Sequence, residues 1–233
     1  MKAYWINSSN VGDTLTPVIM EHFTDYKLER VNAETPGKLI AVGSTMTSLC
    51  KGDTAWGTGI MRETDTFHDV SDCRFLAVRG KLTEKILGVD VGVYGDPALL
   101  LPLMYGVYKT KTHRIGIIPH YAEKDESVFS ELSKQEGSKI IDVNYNWELF
   151  IDEIVSCEEV ISSSLHGIVI AEAYEIPATW IKPTAKVAGD GFKFKDYLTG
   201  TGREIQKPGK FPPISIPKLK EIQDGLLKSL KCL

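Results

Sequence analysis

The segment Ile161-Ser162-Ser163-Ser164-Leu165-His166-Gly167 gathers the residues best equipped for chemistry. An apolar run ends in three serines, and a helical pattern begins at about Leu165. The hydroxyls of Ser163 and Ser164 and the free N–H groups around Leu165 then point at one spot, with the helix dipole behind them. Such a cradle suits a phosphate or a carboxylate. His166, in the first turn, can add a charge or move a proton. The plainer reading is a serine N-cap beside an incidental histidine. The glycines that flank a hydrolase nucleophile elbow are missing. Neither a Walker loop nor a Gly-x-Gly-x-x-Gly turn occurs.

The other candidates also follow strand-like runs. In Asn10-Val11-Gly12-Asp13, Gly12 lets backbone approach a ligand, and the helix that follows attracts an anion. Asp13 there can hold a hydroxyl or take its proton, or simply cap the turn. Arg79-Gly80 offers a fixed guanidinium fork for phosphate or carboxylate; the alternative is a salt bridge. Asp96, in Gly95-Asp96-Pro97, is a general base, a hydroxyl ligand or a turn cap. His120 follows a strand in Ile118-Pro119-His120-Tyr121, a better place for a working histidine than most. Residues 191–197 alternate Phe and Lys, which fits an edge strand or an ordered loop. Lys193 or Lys195 could reach a ligand phosphate from there.

Short apolar runs alternate with helical patterns along the whole chain. Strands are expected at 3–6, 38–42, 55–59, 75–78 and 91–94, with helices at 15–23 and 82–87. A second series places strands at 114–118, 139–143, 160–162 and 178–181. Its helices fall at 127–135, 147–156, from about 165 to 174, and 219–230; residues 183–217 read as irregular. This βα alternation predicts mainly parallel sheets with helices on their faces. A Pro-Leu-Met-Tyr-Gly stretch interrupts the series, so the expected seam lies at 102–111. Two Rossmann-like αβα domains, 1–106 and 107–233, would face each other across a ligand cleft at the carboxyl ends of their strands.

Composition supports this reading. The 233 residues carry 27 Lys plus Arg against 31 Asp plus Glu, and 42% are hydrophobic, so a packed globular chain is expected. A formal charge of -4 argues against a dedicated nucleic-acid binder. From Lys182 onward the balance reverses, with eleven basic and five acidic residues. That end is either a solvated lysine-bearing surface or one that faces phosphate or anionic lipid. Four scattered cysteines and no secretory signal suggest a reducing cytosol. No histidines and cysteines cluster at metal-ligand spacing, so no metal is expected.

Taken in order, these segments resemble the polysaccharide pyruvyl transferase family. The matching pieces are Asn10-Val11-Gly12-Asp13, Gly43-Ser44, Trp56-Gly57-Thr58-Gly59, Arg79-Gly80 with Thr83, Gly95-Asp96-Pro97-Ala98 and Ile118-Pro119-His120-Tyr121. They continue with Ser163-Ser164-Leu165-His166-Gly167, Ala171-Glu172-Ala173-Tyr174 and Ile176-Pro177. Some relatives carry arginine just before the Leu-His pair, where this chain has Ser164. The resemblance implies a fold similar to that of the two-domain, GT-B-like glycosyltransferases. It implies phosphoenolpyruvate as co-substrate, with no cofactor, and a sugar hydroxyl pair as acceptor. The product would be a pyruvate ketal on a cell-surface polysaccharide or its lipid-linked precursor, made in the cytoplasm or at the inner face of the membrane. On that reading His166, His120, Asp13 and Asp96 are the catalytic candidates. Arg79, Ser163, Ser164, Leu165, Asn10, Gly12 and Lys195 are the binding candidates. The alternatives are a nucleotide-sugar glycosyltransferase using the same cleft and a non-catalytic saccharide-binding subunit.

Overall fold

A computed structural model describes residues 1–67 and 70–233. The first half runs β1 (Lys2–Tyr4), α1 (Val11–Phe23), β2 (Glu29–Arg30), β3 (Leu39–Ile40), β4 (Thr54–Trp56), β5 (Arg74–Ala77) and α2 (Lys81–Leu87). A 3₁₀ turn, Pro97–Leu100, leads into α3 (Leu101–Met104). The second half follows as β6 (His113–Ile118), α4 (Ser127–Ser133), β7 (Ser138–Ile140), α5 (Trp147–Val155), β8 (Cys157–Ser162) and α6 (Leu165–Ala173). It ends with β9 (Ala178–Trp180), α7 (Phe192–Gly200), β10 (Gly209–Lys210) and α8 (Ile216–Leu230).

The strands form two five-stranded sheets. The first has the order β2-β1-β3-β4-β5 and is parallel throughout. The second, β7-β6-β8-β9-β10, is parallel except for β10. Counted from its own first strand, each sheet has the order 2-1-3-4-5. In that order the chain reverses direction across the sheet between the first and third strands, and a crevice opens at their carboxyl ends.

Burial explains how the halves are held. All nine residues of α6 are buried. An isolated helix of Leu-His-Gly-Ile-Val-Ile-Ala-Glu-Ala has no polar face to show water, so it must be packed on every side. It lies against β8, β9 and α5 of its own half and against α3 and the Pro97–Leu100 turn of the other. The one carboxylate on it, Glu172, receives Tyr197 Oη at 2.8 Å and a forked contact from Arg203. One hydrophobic cluster therefore runs from Leu15 and Trp56 through Ile168 to Trp180 and Leu226. The terminal helix α8 returns to the first half. Trp56 Nε1 donates to Ser229 Oγ at 3.1 Å, and Gln223 Nε2 donates to the Leu99 carbonyl at 2.8 Å.

Three expectations need correction. Residues 191–197 are neither strand nor loop: they open the helix α7, and β10 follows within the stretch expected to be irregular. Tertiary burial overrides the Phe-Lys alternation, since Phe192, Lys193, Phe194, Asp196 and Tyr197 are all buried. Residues 91–94 form no strand; Tyr94 makes a single bridge to Val78. The edge strand β2 was not expected, being two exposed polar residues long. Among the described residues no helix is long and apolar enough to cross a membrane.

α7 sits directly on the turn between β5 and α2. A Cβ at Gly80 would run into the backbone carbonyl of Asp196, an atom that cannot swing away. Gly80→Ala should therefore destabilise the fold by about 1–3 kcal/mol, as overpacking does. Urea unfolding measures this; an unchanged midpoint would show that α7 is free to give way.

Candidate functional site

The crevices of the two sheets open on one cleft of about 500 Å³. From the first half it receives Ser8, Asn10 and Asp13 after β1, Gly43 and Ser44 after β3, and Met61 after β4. From the second it receives His120 and Lys124 after β6, Asn144 after β7, and Ser164 and His166 at the start of α6. Lys193 reaches it from α7. A hydrogen bond from Ser9 Oγ to Asn144 Oδ1, at 2.8 Å, joins the halves at its rim.

The floor is set by α1 and α6. Asn10 caps α1, its Oδ1 accepting from the Gly12 N–H at 3.2 Å. Gly12 is demanded by His166, because a Cβ there would lie inside the imidazole, nearest Nδ1. The other ring nitrogen, Nε2, faces Asp96 Oδ2 at 3.4 Å. The contact is an ion-pair approach rather than a hydrogen bond, and neither atom has a hydrogen-bond partner among the described residues. Asp96 is fully buried, and its Oδ1 accepts from the Ala98 N–H at 3.0 Å. A carboxylate so placed favours the proton on Nε2 and leaves Nδ1 as the acceptor edge, beside the start of α1. Asp96 thus stands behind the histidine rather than in the cleft.

The three serines do different work. Ser162 Oγ donates to the Ile118 carbonyl at 2.9 Å and accepts from the Ser164 N–H, which locks the turn. Ser163 Oγ accepts from the His120 N–H at 2.9 Å. Of the three, Ser164 lines the cleft, capping α6 with no side-chain bond of its own. Leu165 lines it too.

His120 lines the cleft beside the serine turn. Its Nδ1 accepts from the Ala122 N–H at 3.2 Å, so a neutral ring carries its proton on Nε2. Burial, and secondarily the Lys193 charge, pull its pKa down to about 4. At neutral pH it is an uncharged donor. Asp13, partly exposed, accepts from Ser8 Oγ at 2.7 Å and lines the cleft.

Four binding candidates do not line the cleft: Gly12 packs against His166, Ser163 holds the His120 N–H, and Arg79 and Lys195 lie elsewhere. Arg79 is fully buried and outside the cleft. Its Nε donates to Asp196 Oδ2 at 2.9 Å, one terminal nitrogen to Ser44 Oγ at 2.7 Å, and the other to the Ile60 carbonyl at 2.6 Å. Asp196, 117 residues away, takes the fork that was expected to hold a ligand. Lys195 lines a separate hollow with Arg62 and Lys85. Side chains two apart on a helix point about 200° apart, so when Lys193 faces the cleft Lys195 cannot. Ser8 and Asn144 were not anticipated, and only their positions after strands could have suggested them; Ser44 stood in a family-like segment without a site role. Among the described residues no group of three or more His, Cys, Asp and Glu is placed to hold a metal ion.

Two mostly parallel sheets of one strand order, with both crevices feeding one cleft, define an α/β protein with a cleft between its halves. Residues 55–183 match the polysaccharide pyruvyl transferase family, and the chain belongs to it. The matched span contains Arg79, Asp96, His120 and the start of α6; Asn10, Asp13 and Lys193 lie outside it. The chain is 30% identical to the uncharacterized protein L143 of Acanthamoeba polyphaga mimivirus over 223 residues, covering 89% of this chain and 76% of that protein. It is 26% identical to the succinoglycan biosynthesis protein ExoV of Rhizobium meliloti (strain 1021) over 145 residues. That match covers 59% of this chain and 44% of ExoV. No solved structure matches the chain.

With a pKa near 4 against 6.5 for a free histidine, folded His120 binds fewer protons than the unfolded chain in that interval. Stability should therefore fall as pH drops from 6.5 toward 4, and His120→Gln should flatten that slope. ¹⁵N NMR should show a neutral Nε2–H ring at pH 6. A titration midpoint near 6.5 would contradict the burial argument.

Proposed function

We propose that the protein transfers pyruvate from phosphoenolpyruvate onto a hydroxyl pair of a sugar, in a cell-surface polysaccharide or its lipid-linked precursor. The observation that carries this reading is His166, which lines the cleft at the start of α6 with the buried Asp96 carboxylate behind it. Family membership supports pyruvyl transfer, and the relative described as a succinoglycan biosynthesis protein supports a polysaccharide acceptor. The halves 1–106 and 107–233 then act as the two domains of a GT-B-like transferase.

The chemistry needs an acid, a base and an anion site. Protonation of the phosphoenolpyruvate methylene turns it into a methyl group and leaves C2 electrophilic. One sugar hydroxyl adds to C2, losing its proton to a base. The second hydroxyl displaces phosphate from C2, and its proton leaves with the phosphate. The products are the cyclic ketal and inorganic phosphate, with no oxidant or reductant consumed. His166 supplies the first proton from its doubly protonated form, with the Asp96 carboxylate behind Nε2 offsetting the imidazolium charge. Asp13 is the exposed carboxylate for a sugar hydroxyl. Neutral His120 donates a hydrogen bond without repelling the cationic character at C2. The first N–H groups of α6, with Ser164, receive an oxyanion.

Calorimetry should show that phosphoenolpyruvate binds the purified protein and UDP-galactose does not. With an acceptor found among succinoglycan-type oligosaccharides, Asp96→Asn and His166→Ala should each slow phosphate release by about 10²–10⁴-fold. Binding of the nucleotide sugar alone, or near-normal turnover in both variants, would overturn the reading.

A further inference from the structure

The buried cations of the chain divide sharply. Lys38 is paired with Asp53, Arg79 with Asp196, and Arg203 with Glu172. Lys193 is 7% exposed and has no hydrogen bond or carboxylate partner among the described residues. Its Nζ lies 5.8 Å from the centroid of the Phe194 ring. An unpaired buried ammonium destabilises a fold and is normally neutralised or paired.

Its position is nonetheless fixed. Phe194, the next residue, stacks on Trp180 with centroids 4.5 Å apart. Asp196, one turn on, is held by Arg79 and by Thr83, whose N–H and hydroxyl donate at 2.8 and 2.7 Å. Gly191 starts the helix in the left-handed region, with φ of 81°. α7 therefore drives a cation into the wall of the cleft that Ser164 and His166 also line.

The acidic groups around it are engaged elsewhere or lie beyond bonding range. Asp13, from α1, accepts from Ser8. Glu123, after β6, accepts from the Thr184 N–H and hydroxyl through Oε1, while its buried Oε2 has no hydrogen-bond partner among the described residues. Arg79, at the end of β5, opposes the Lys193 charge, while Asp13 and Glu123 favour it. His120, after β6, is neutral, and Lys124 adds a further positive group at the cleft mouth. No carboxylate of the described residues pairs with Lys193, which leaves its charge open to an anion entering the cleft.

We infer that Lys193 is the cation that binds the anionic end of the ligand, together with the N-terminus of α6, and that it is kept unpaired so that the ligand completes the pair. The phosphoenolpyruvate reading supplies the identity of the anion; the need for an anion at Lys193 stands on the geometry alone. Burial, and then Arg79, hold the Lys193 pKa down to about 8. The ammonium is present below that pH and is lost above it, so anion affinity should hold up to about pH 8 and fall beyond it.

The test measures calorimetric affinity for phosphoenolpyruvate, pyruvate, inorganic phosphate and UDP-galactose, with thermal melting in parallel, in the wild type, Lys193→Met and Lys193→Arg. Lys193→Met should weaken the bound anion by roughly tenfold to a hundredfold at pH 7. It should also melt higher than the wild type without ligand, because an apolar side chain of similar length replaces an unpaired charge. A purely structural lysine would give the opposite melting shift. Lys193→Arg should keep anion binding and lose the decline above pH 8, since guanidinium does not deprotonate there. If UDP-galactose is the anion bound and Lys193→Met abolishes it, the pyruvyl reading fails and the role of Lys193 stands. Wild-type affinity in Lys193→Met, or a wild type that binds none of the four, would overturn the role.

Discussion

Arg79 and Asp196 are both fully buried, and between them they tie five segments to one point. The guanidinium holds Ser44 after β3, the Ile60 carbonyl after β4, and Asp196 on α7. The carboxylate in turn holds Thr83 on α2. Removing either partner would strand a buried charge, at a cost of about 3–5 kcal/mol. The pair thereby sets where α7 lies on the first sheet. It also sets where Lys193, three residues before Asp196, enters the cleft. An arginine spent in this way is not free to bind a ligand, and a lysine takes the position next to the ligand instead.

The cleft itself follows from a repeated topology. Each sheet reverses its winding after its first strand, so each leaves a crevice beside its third. α6 is buried between the halves, and its N-terminus opens into the joint space. Polar groups that would be costly in an apolar seam are instead distributed as a site. Asp96 orients His166, Asn10 caps the helix beneath it, and Ser163 holds His120 by its backbone. The family match covers the half of this arrangement that contains both histidines.

Much of this was legible in the sequence, for identifiable reasons. β1, β6, β8 and the helices after them follow apolar runs closed by Asn7, Pro119 and the serines from Ser162, where local pattern and tertiary role agree. His120, Asn10, Asp13, Ser164 and His166 sit after strands, and the structure gathers them in one cleft. What escaped depends on distance along the chain. Arg79 reads as a free fork because Asp196 lies 117 residues away. The alternation of Phe192-Lys193-Phe194-Lys195 has the period of a strand, yet the segment is a helix because Trp180 and Arg79 bury it from two sides. With that error, the lysine facing the cleft could not be told from the one facing away. Asp96 reads as a base or a cap, and only three-dimensional proximity shows it standing behind His166.

The chemistry of ketal formation and the architecture of the cleft meet at one place, the gap between the start of α6 and Lys193. The most direct test is a crystal structure of the protein soaked with phosphoenolpyruvate. The account predicts the ligand in that gap, with one anionic group on the Ser164–His166 backbone and Lys193 Nζ, and its methylene carbon toward His166. Ligand bound in the hollow lined by Lys195, or against a displaced Arg79, would contradict it.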